Sequence, residues 1–317
     1  MRTVLVVTDA DDHTADLVVS DLVQRGERVM RLDPGAGFVS MEAELTAGRW
    51  QNVIRDERRA TRLENVVSVL WRWPTPPAGH PAILDADRRA WAAREDTAAL
   101  HGVLRSLPVR WVNHPGAVAM ANFKPDQLTT AVDVGLPVPP TLITTSGEVA
   151  RRWAARRDVL YKAFHAQGTD DCHMVLATPV NGTDLPLELG AASMFQEIIG
   201  GQHVRGTFIG REAFAVTISG ADRIDWRANL DVTYSVIDVP PSVHRAILLY
   251  MNRFGLEYGA FDFIIDASGN WVFLECNPLG MYGFVEIATG LPITKAIADR
   301  LCTPVSSPVR HVQPMKC

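Results

Sequence analysis

The sequence predicts an α/β protein of more than one lobe, and three observations carry this prediction. Strand-like and helix-like segments alternate through the first third of the chain, strand-like runs dominate after Met194, and 317 residues suffice for two or three lobes. Hydrophobic residues make up 47% and charged residues 21%, the balance of an ordinary globular enzyme. We therefore expect a small α/β lobe followed by units richer in β-structure.

The first lobe is predicted from short apolar runs separated by helical patterns. Because strands joined through helices usually pair side by side in one direction, we expect a mainly parallel sheet. The predicted strands are Val4–Thr8, Arg28–Leu32, Val66–Arg72 and Val109–Val112, and the predicted helices are Thr14–Arg25, ended by Gly26, and Asp85–Leu107.

A second unit starts near His114-Pro115, with a helix over Lys124–Val134 that ends at Gly135 and an extended connector over Leu136–Pro140. The further predicted strands are 160–163, 174–177, 195–199, 204–209, 213–218, 232–239, 259–265 and 271–277, with one helix over 242–254. We divide the chain at 1–113, 114–195 and 196–302, and expect residues 303–317 to be a disordered tail without function.

Charge and cysteine content exclude several classes of protein. A net charge of −5 and no basic stripe argue against nucleic-acid binding. We expect no membrane association, because no apolar run reaches the length of a membrane span and the N-terminus lacks the layout of a signal peptide. Four widely spaced cysteines without a C-x-x-C pair fit the reducing cytoplasm.

The most informative segment reads GAFDFIIDASGNWVFLECNP and predicts a hairpin. Ser268-Gly269 lies between two apolar runs and is a good turn. Either a two-residue or a four-residue loop there places Asp262 directly opposite Glu275. Phe261 and Phe263 are then expected on the other face, so that the strand is half-buried.

Two facing carboxylates predict a cation, because like charges directly opposite each other destabilise a sheet. We expect the repulsion to be relieved only by a bound metal or by a proton on one acid. With the amide oxygen of Asn277, Asp262 and Glu275 make a set of hard oxygen ligands suited to magnesium. The alternative is a solvated hairpin whose acids merely tolerate one another.

Two lysines are candidate phosphate ligands. The sequence has no G-x-x-x-x-G-K-[ST] and no G-x-G-x-x-G, so neither a P-loop nor a dinucleotide fold is supported. Lysine is scarce, which makes the placement of Lys124 and Lys162 informative. Lys162 lies among apolar neighbours before a loop that contains Gly168, where an ammonium group suits phosphate oxygens. Taken alone, it is better explained as a surface lysine.

The segment Gln196-Glu197-Ile198-Ile199 predicts a strand that leads into a glycine turn. A strand edge of this kind offers backbone N–H and C=O groups to an adenine ring, with Glu197 as a polar neighbour. Arg205, on the following strand, is placed to reach phosphates. By itself this pattern is not specific.

In combination these residues resemble the ATP-grasp superfamily. The residues that match its order of nucleotide and magnesium ligands are Lys124, Lys162, Gln196-Glu197-Ile198-Ile199, Arg205, Asp262 and Glu275-x-Asn277. The likeness runs from Met1 to Leu301 and narrows to the graspetide (omega-ester or omega-amide) synthetases, which mature ribosomal peptides. The matching stretches are Val112–Pro115, Asp225-Trp226-Arg227, Val239-Pro240-Pro241, Gly259–Phe263 and FLECNPLGMYGFVEIATGLPI from Phe273 to Ile293.

The resemblance implies a three-lobed ATP-grasp fold, in which an N-terminal α/β pre-ATP-grasp domain precedes two α+β lobes that enclose the nucleotide. It implies ATP and Mg²⁺ as cofactors. It assigns the α- and β-phosphates to Lys124 and Lys162, and the γ-phosphate to Arg205. The remaining roles that it implies are adenine binding by Gln196, Glu197, Ile198 and Ile199, and magnesium binding by Asp262, Glu275 and Asn277.

The sequence departs from the family pattern at two places. Where the family usually has an acid that contacts ribose, this chain has His203, which can still hydrogen-bond a hydroxyl. The family's Trp-Tyr-Arg-Arg-Pro stretch is replaced by Leu70-Trp71-Arg72-Trp73-Pro74, with one arginine lost. If that segment touches the peptide, peptide specificity has changed.

The implied reaction is ATP-dependent ring formation in a precursor peptide with a leader and an acidic core. Phosphorylation turns an Asp or Glu carboxylate into an acyl phosphate, which a Ser or Thr hydroxyl attacks to give a lactone, or a Lys amine to give a lactam. Arg227 is the best candidate to grip the acidic side chain, as a fork matched to a carboxylate. A structural arginine is an equally good interpretation. The resemblance also implies a homo-oligomer, either dimer or tetramer.

Two other functions remain open from the sequence. One is a ligase of the same fold that joins an amino acid to a small metabolite or a protein C-terminus. The other is an ATP-binding module that has lost catalysis, against which the retention of Lys162, Arg205 and the three metal-ligand candidates counts.

Overall fold

The computed structural model describes residues 2–37, 39–164, 176–220 and 231–303. Arg227 and the tail from residue 304 onward lie outside the described residues, as do Gly168 and the first half of the strand predicted over 174–177. Within the described ranges, no helix combines the length and apolar character that a membrane span requires.

The described residues form eighteen strands and eight helices. The strands are β1 (Thr3–Val7), β2 (Val29–Leu32), β3 (Ser40–Met41), β4 (Glu44–Thr46), β5 (Arg49–Gln51), β6 (Val53–Arg55), β7 (Ala60–Arg62), β8 (Val66–Trp71), β9 (Arg110–Val112), β10 (Thr141–Ser146), β11 (Val159–Lys162), β12 (Thr178–Val180), β13 (Glu188–Glu197), β14 (Gln202–Ile209), β15 (Glu212–Ser219), β16 (Thr233–Ile237), β17 (Tyr258–Ile265) and β18 (Trp271–Asn277). The helices are α1 (His13–Gln24), α2 (Ala86–Arg105), α3 (Pro115–Ala121), α4 (Lys124–Asp133), α5 (Gly147–Ala154), α6 (Pro241–Phe254), α7 (Gly283–Thr289) and α8 (Ile293–Cys302).

The first lobe is the predicted parallel sheet. Its strand order is β2-β1-β8-β9, and every neighbouring pair is parallel. Asp12 caps α1, because its side chain accepts hydrogen bonds from the N–H groups of Thr14 and Ala15. The five strands β3 to β7 form small hairpins between β2 and β8 that the sequence did not predict, since two or three residues are too few to show a period.

The middle sheet has the order β10-β13-β11-β12 and is antiparallel. Strand β10 was not predicted. The strand predicted over 174–177 is wrong where it is described, because residues 176 and 177 lie outside any strand and β12 starts at Thr178. The lobe boundary proposed at 195/196 falls inside β13, which runs on to Glu197.

The last sheet has the order β16-β15-β14-β17-β18 and is antiparallel throughout. Phe261, Phe263 and Phe273 are fully buried on one face, where α6 covers them with Tyr250 and other apolar side chains. Because side chains alternate along a strand, Asp262 lies on the opposite face, as predicted.

That opposite face shares a hydrophobic core with the first lobe. Val4 and Val6 of β1 belong to the same buried cluster as Tyr258 and Ala260 of β17. Helix α8 contributes Ile297 to this cluster, although it is the last described helix of the chain. The parallel sheet and the last antiparallel sheet are therefore joined by packing as well as by sequence.

The β17–β18 hairpin reaches the predicted pairing by a different route. The N–H of Asp266 donates to the carbonyl of Asn270 at 3.0 Å, which closes a three-residue loop with Gly269 at φ +82°. The predicted two- or four-residue loop is therefore wrong. A bulge at Leu274 adds one residue to β18, since Phe263 pairs with Phe273 whereas Asp262 pairs with Glu275. The two differences cancel.

Candidate active site

A row of charged side chains crosses three neighbouring strands of the last sheet. Arg205 of β14 is the register partner of Asp262 of β17, which in turn is the partner of Glu275 of β18. Arg205 Nη1 lies 2.9 Å from Asp262 Oδ1, and both side chains are buried. The register of three adjacent strands alone brings these residues into contact range.

Lys124 extends this row from outside the sheet. It is the first residue of α4, and its Nζ lies 3.3 Å from Glu275 Oε2 and donates to the carbonyl of Ala163 at 2.8 Å. Ala163 directly follows Lys162 at the end of β11. One ammonium group thus links the middle sheet to the last sheet.

The prediction of how the repulsion between Asp262 and Glu275 is relieved is wrong in one respect. Each acid has its own cation partner, Arg205 for Asp262 and Lys124 for Glu275, so that the two neighbouring acids lie between two cations. Relief of the repulsion therefore does not depend on a metal ion or a proton. The sequence did not show this because Lys124 comes from a distant helix.

The oxygen ligands fit magnesium. Glu275 and Asn277 are two residues apart in β18 and face the same side as Asp262. Asn277 Oδ1 accepts a hydrogen bond from the N–H of Leu279 at 3.0 Å, which fixes its orientation and leaves one lone pair. A Cβ at Gly280 would lie 2.8 Å from Arg205 Nη2, so only glycine leaves the charged row its space. No group of three His, Cys, Asp or Glu side chains within the described ranges is arranged to hold a metal, and the candidate set here consists of two carboxylates and the amide of Asn277.

The segment after Asn277 is held by four successive carbonyl groups. Each carbonyl from Pro278 to Met281 accepts a hydrogen bond from a different side chain. The donors are Asn113 Nδ2 to Pro278 (2.8 Å), Trp73 Nε1 to Leu279 (3.1 Å), Tyr258 Oη to Gly280 (2.6 Å) and Arg205 Nη2 to Met281 (3.1 Å). Burial raises the pKa of Tyr258 to about 12, so its phenol keeps the proton that it donates. Two donors come from the first lobe and two from the last sheet, which makes this segment the point where the lobes meet.

Asn113 belongs to the matching stretch Val112–Pro115, and the structure shows which groups it contacts. It is fully buried and makes four hydrogen bonds, to the carbonyls of Tyr258 and Pro278 and from the N–H groups of Glu257 and Tyr258. All four bonding positions of its amide are used.

The predicted adenine strand does not lie at a sheet edge. β13 is paired with β10 on one side and β11 on the other. The N–H of Glu197 donates to Pro140 (2.9 Å) and that of Ile198 to Asp158 (2.8 Å). These two N–H groups are therefore not available to a base.

The side chains of this segment are engaged within the protein. Gln196 is buried, and its Nε2 donates to Thr141 Oγ1 at 3.0 Å. Glu197 lies 3.4 Å from Arg157 and is partly exposed. His203 is buried on β14, two residues before Arg205 and on the same face.

The Leu70–Pro74 segment divides into an inner and an outer part. Arg72 is 4% exposed and its Nε lies 2.5 Å from Asp12 Oδ2, so this arginine faces the interior. Burial raises the pKa of Asp12, but the Arg72 charge and hydrogen bonds from Arg72, Thr8 and Ala15 outweigh it and hold that pKa below its usual value. Trp73 is about half exposed, and its indole N–H donates to the carbonyl of Leu279.

Comparison with known proteins gives a family match for the first lobe and several solved structures similar to the whole chain. Residues 3–119 match the family described as MvdD pre-ATP grasp domain. No curated protein matches the chain. The crystal structure of the macrocyclase MdnC bound with precursor peptide MdnA, from Microcystis aeruginosa MRC, is 25% identical, with a TM-score of 0.82 over 96% of this chain and 100% of that one.

Two further structures contain a nucleotide. A Chryseobacterium gregarium RiPP-associated ATP-grasp ligase in complex with ADP and a leader and core peptide is 25% identical, with a TM-score of 0.85 over 95% of this chain and 97% of that one. The ATP-grasp ligase PsnB complexed with minimal precursor, Mg and ADP is 25% identical, with a TM-score of 0.71 over 94% and 96%. The chain is an ATP-grasp ligase of the peptide-maturase type.

This assignment confirms the fold class and the family expected from the motifs. The site residues are a separate matter, because the comparisons do not test them. The individual roles of Lys124, Lys162, Gln196 to Ile199, His203, Arg205, Arg227, Asp262, Glu275 and Asn277 stay predictions.

Proposed function

We propose that this protein is an ATP-dependent peptide macrocyclase that activates Asp or Glu side chains of a ribosomal precursor peptide. The observation that carries the proposal is the row Arg205, Asp262, Glu275 and Lys124, in which two acids lie between two cations where α4 and β11 meet the last sheet. A row that offers both cations and hard anionic oxygens suits Mg·ATP better than either component alone.

The chemistry runs in two balanced steps. A carboxylate oxygen of the peptide attacks the γ-phosphorus, the bond to ADP breaks, and an acyl phosphate forms. A Ser or Thr oxygen, or a Lys nitrogen, then attacks the acyl carbon, loses its proton and releases phosphate, which leaves a lactone or a lactam. The peptide loses one water for each ring.

Asp262, Glu275 and Asn277 are the residues that would hold magnesium. A bound Mg²⁺ would offset the charge that develops on the phosphate oxygens. Asp262 is held in place by Arg205, and Glu275 by Lys124, so both carboxylates are oriented before the nucleotide arrives.

The cations of the site have separate tasks in this proposal. Lys162 and Lys124 lie where β11 ends and bind the α- and β-phosphates, and Arg205 neutralises the γ-phosphate. Ile198 and Ile199 receive the adenine with Gln196 and Glu197 behind them, and His203 hydrogen-bonds the ribose. Arg227 grips the carboxylate of the peptide.

The peptide partner has a leader and an acidic core; in support, similar solved structures are bound to precursor, leader and core peptides. We also infer a homo-oligomer and a cytoplasmic location. In support, α2 exposes Trp91 at 58%, and the two described cysteines, Cys276 and Cys302, are free thiols.

The test is ring formation in a defined peptide. The purified protein is incubated with Mg·ATP and the peptide encoded beside its gene, and mass spectrometry should show the loss of one water per ring with matched ADP release. Glu275→Gln should abolish both, whereas Glu212→Gln, an exposed acid of β15, should leave both unchanged. ADP release that does not need a peptide, with no loss of water, contradicts the proposal.

A further inference from the structure

Gln127 makes contact with the backbone between two of the magnesium-ligand candidates. Its Oε1 accepts from the N–H of Cys276 at 2.9 Å, and its Nε2 donates to the carbonyl of Cys276 at 2.9 Å. Cys276 is the residue between Glu275 and Asn277. The amide of Gln127 is 3% exposed and also donates to the carbonyl of Ala121 at 2.6 Å.

The contact matters because β18 is the outer strand of its sheet. Among the described strands only β17 pairs with it, and the N–H and C=O of Cys276 point away from β17. An edge strand without contacts on its outer side is free to shift or twist. On that side the N–H of Phe273 donates to the carbonyl of Pro137 at 2.8 Å, and Gln127 provides the contact at Cys276, between the two ligand candidates.

The same helix holds the site from two positions. Lys124 and Gln127 are three residues apart in α4 and therefore lie on one face. Lys124 contacts the side chain of Glu275, and Gln127 contacts the next peptide unit. The separation of Glu275 and Asn277 is thus fixed by one rigid helix.

We propose that Gln127 is a positioning residue for the metal site, which it controls by fixing the Cys276 peptide so that Glu275 and Asn277 present their oxygens together. The inference rests on the proposed function, because it requires that these residues hold the metal. Partners behind metal ligands typically change metal affinity by 10- to 100-fold.

The test measures metal binding without turnover. Mn²⁺ replaces Mg²⁺, ADP is present in excess, and free Mn²⁺ is counted by its electron paramagnetic resonance signal as the full-length protein is added. Gln127→Met keeps the length of the side chain and removes both bonds to Cys276. We expect it to weaken ADP-dependent Mn²⁺ binding at least about 10-fold.

The control removes a buried hydrogen bond elsewhere. Thr294→Val loses the 3.2 Å contact with Tyr282 in the core shared with the first lobe and should keep wild-type Mn²⁺ affinity. If Gln127→Met does not melt cooperatively, Gln127→Asn decides, because it keeps the amide but withdraws it by one methylene. It too should bind Mn²⁺ more weakly.

The outcomes separate the two proposals. Wild-type affinity in a folded Gln127→Met or Gln127→Asn variant overturns the role of Gln127 and leaves the proposed function intact. Equal weakening in Thr294→Val assigns the effect to general stability and also overturns it. A wild-type protein that adds nothing to the Mn²⁺ binding of ADP overturns the proposed metal site and this inference with it.

Discussion

Arg205 and Asp262 form a buried ion pair across neighbouring strands, with Nη1 and Oδ1 2.9 Å apart. The pair forms one end of the row that the proposed function assigns to metal and phosphate. Its two members therefore have a structural task in the absence of ATP and a chemical one in its presence. That double task changes what a substitution here should do.

Asp262→Asn should destabilise the protein without nucleotide, because the Arg205 charge stays buried with a weaker partner. Breaking a charged hydrogen bond of this kind costs about 1.5–3 kcal/mol. The melting temperature should fall, and stabilisation by Mg·ADP should vanish. Glu212→Gln in the same sheet should change neither. If Asp262→Asn melts at the wild-type temperature, the Arg205 pair does not stabilise the protein, and the original expectation of repulsion between Asp262 and Glu275 is supported instead.

Lys162→Ala should remove most of the rise in melting temperature that ATP produces, because a phosphate ligand is lost. Lys124→Met should do the same and should also release Glu275. Lys295→Ala is the matched control, since this exposed lysine of α8 contacts only Asp299 among the described charged groups. Thermal melts with and without Mg·ATP measure all three. Equal ATP-induced shifts in wild type and Lys162→Ala would disprove the phosphate role of Lys162.

Asn113→Ala should destabilise the protein strongly, because four buried hydrogen bonds are lost at once. Leaving buried groups unpaired costs about 1–3 kcal/mol for each group, so a total of several kcal/mol is expected. Urea unfolding measures the free energy, with the exposed Asn252→Ala of α6 as the control, which should stay within about 0.5 kcal/mol of wild type. A small effect at Asn113 would mean that water replaces its contacts.

Asp12 gives a prediction about pH. Its pKa is lower in the folded state than its usual value of 3.8, so the folded protein binds this proton less readily than the unfolded chain. The resulting stability is present above that value and is lost as the pH falls through the lower folded pKa. Melting temperatures should therefore fall steeply below about pH 4. Asp12→Asn should melt lower at neutral pH and show a shallower acid slope; an unchanged slope would assign acid sensitivity to other carboxylates.

Arg227→Ala should spare ATP binding and abolish loss of water from the peptide, if this arginine holds the acidic side chain. Arg223→Ala removes the same charge four residues earlier and serves as the control. The ATP-induced thermal shift and the mass of the peptide are measured on the same preparations. Ring formation at the wild-type rate in Arg227→Ala would make Arg227 structural.

The sequence predicts the hairpin better than it predicts its surroundings. Asp262 and Glu275 were paired correctly because both the loop and the Leu274 bulge shift the register by one residue, and their effects cancel. Their cations were not paired with them, since Lys124 reaches Glu275 only through the packing of α4 against β18. Local patterns of hydrophobicity contain no information about contacts between residues that are so far apart in the sequence.

Local sequence patterns also do not predict the order of strands in a sheet. Gln196 to Ile199 was predicted as strand, but β13 ends at Glu197 and is internal to its sheet, because β10 was missed and pairs with it. Likewise, Gln127 reads in sequence as an ordinary polar residue of an exposed helix. Its burial depends on an edge strand that lies far along the chain.

The core shared by β1 and α8 determines where this chain can be divided. The family match ends at residue 119, yet Ile293, Ile297 and Leu301 of α8 complete the core of that first lobe. An isolated fragment cut at the family boundary would expose these apolar contacts and should aggregate. A chimaera that exchanges first lobes between related enzymes must therefore carry its own α8 along, so the interchangeable unit is discontinuous in sequence.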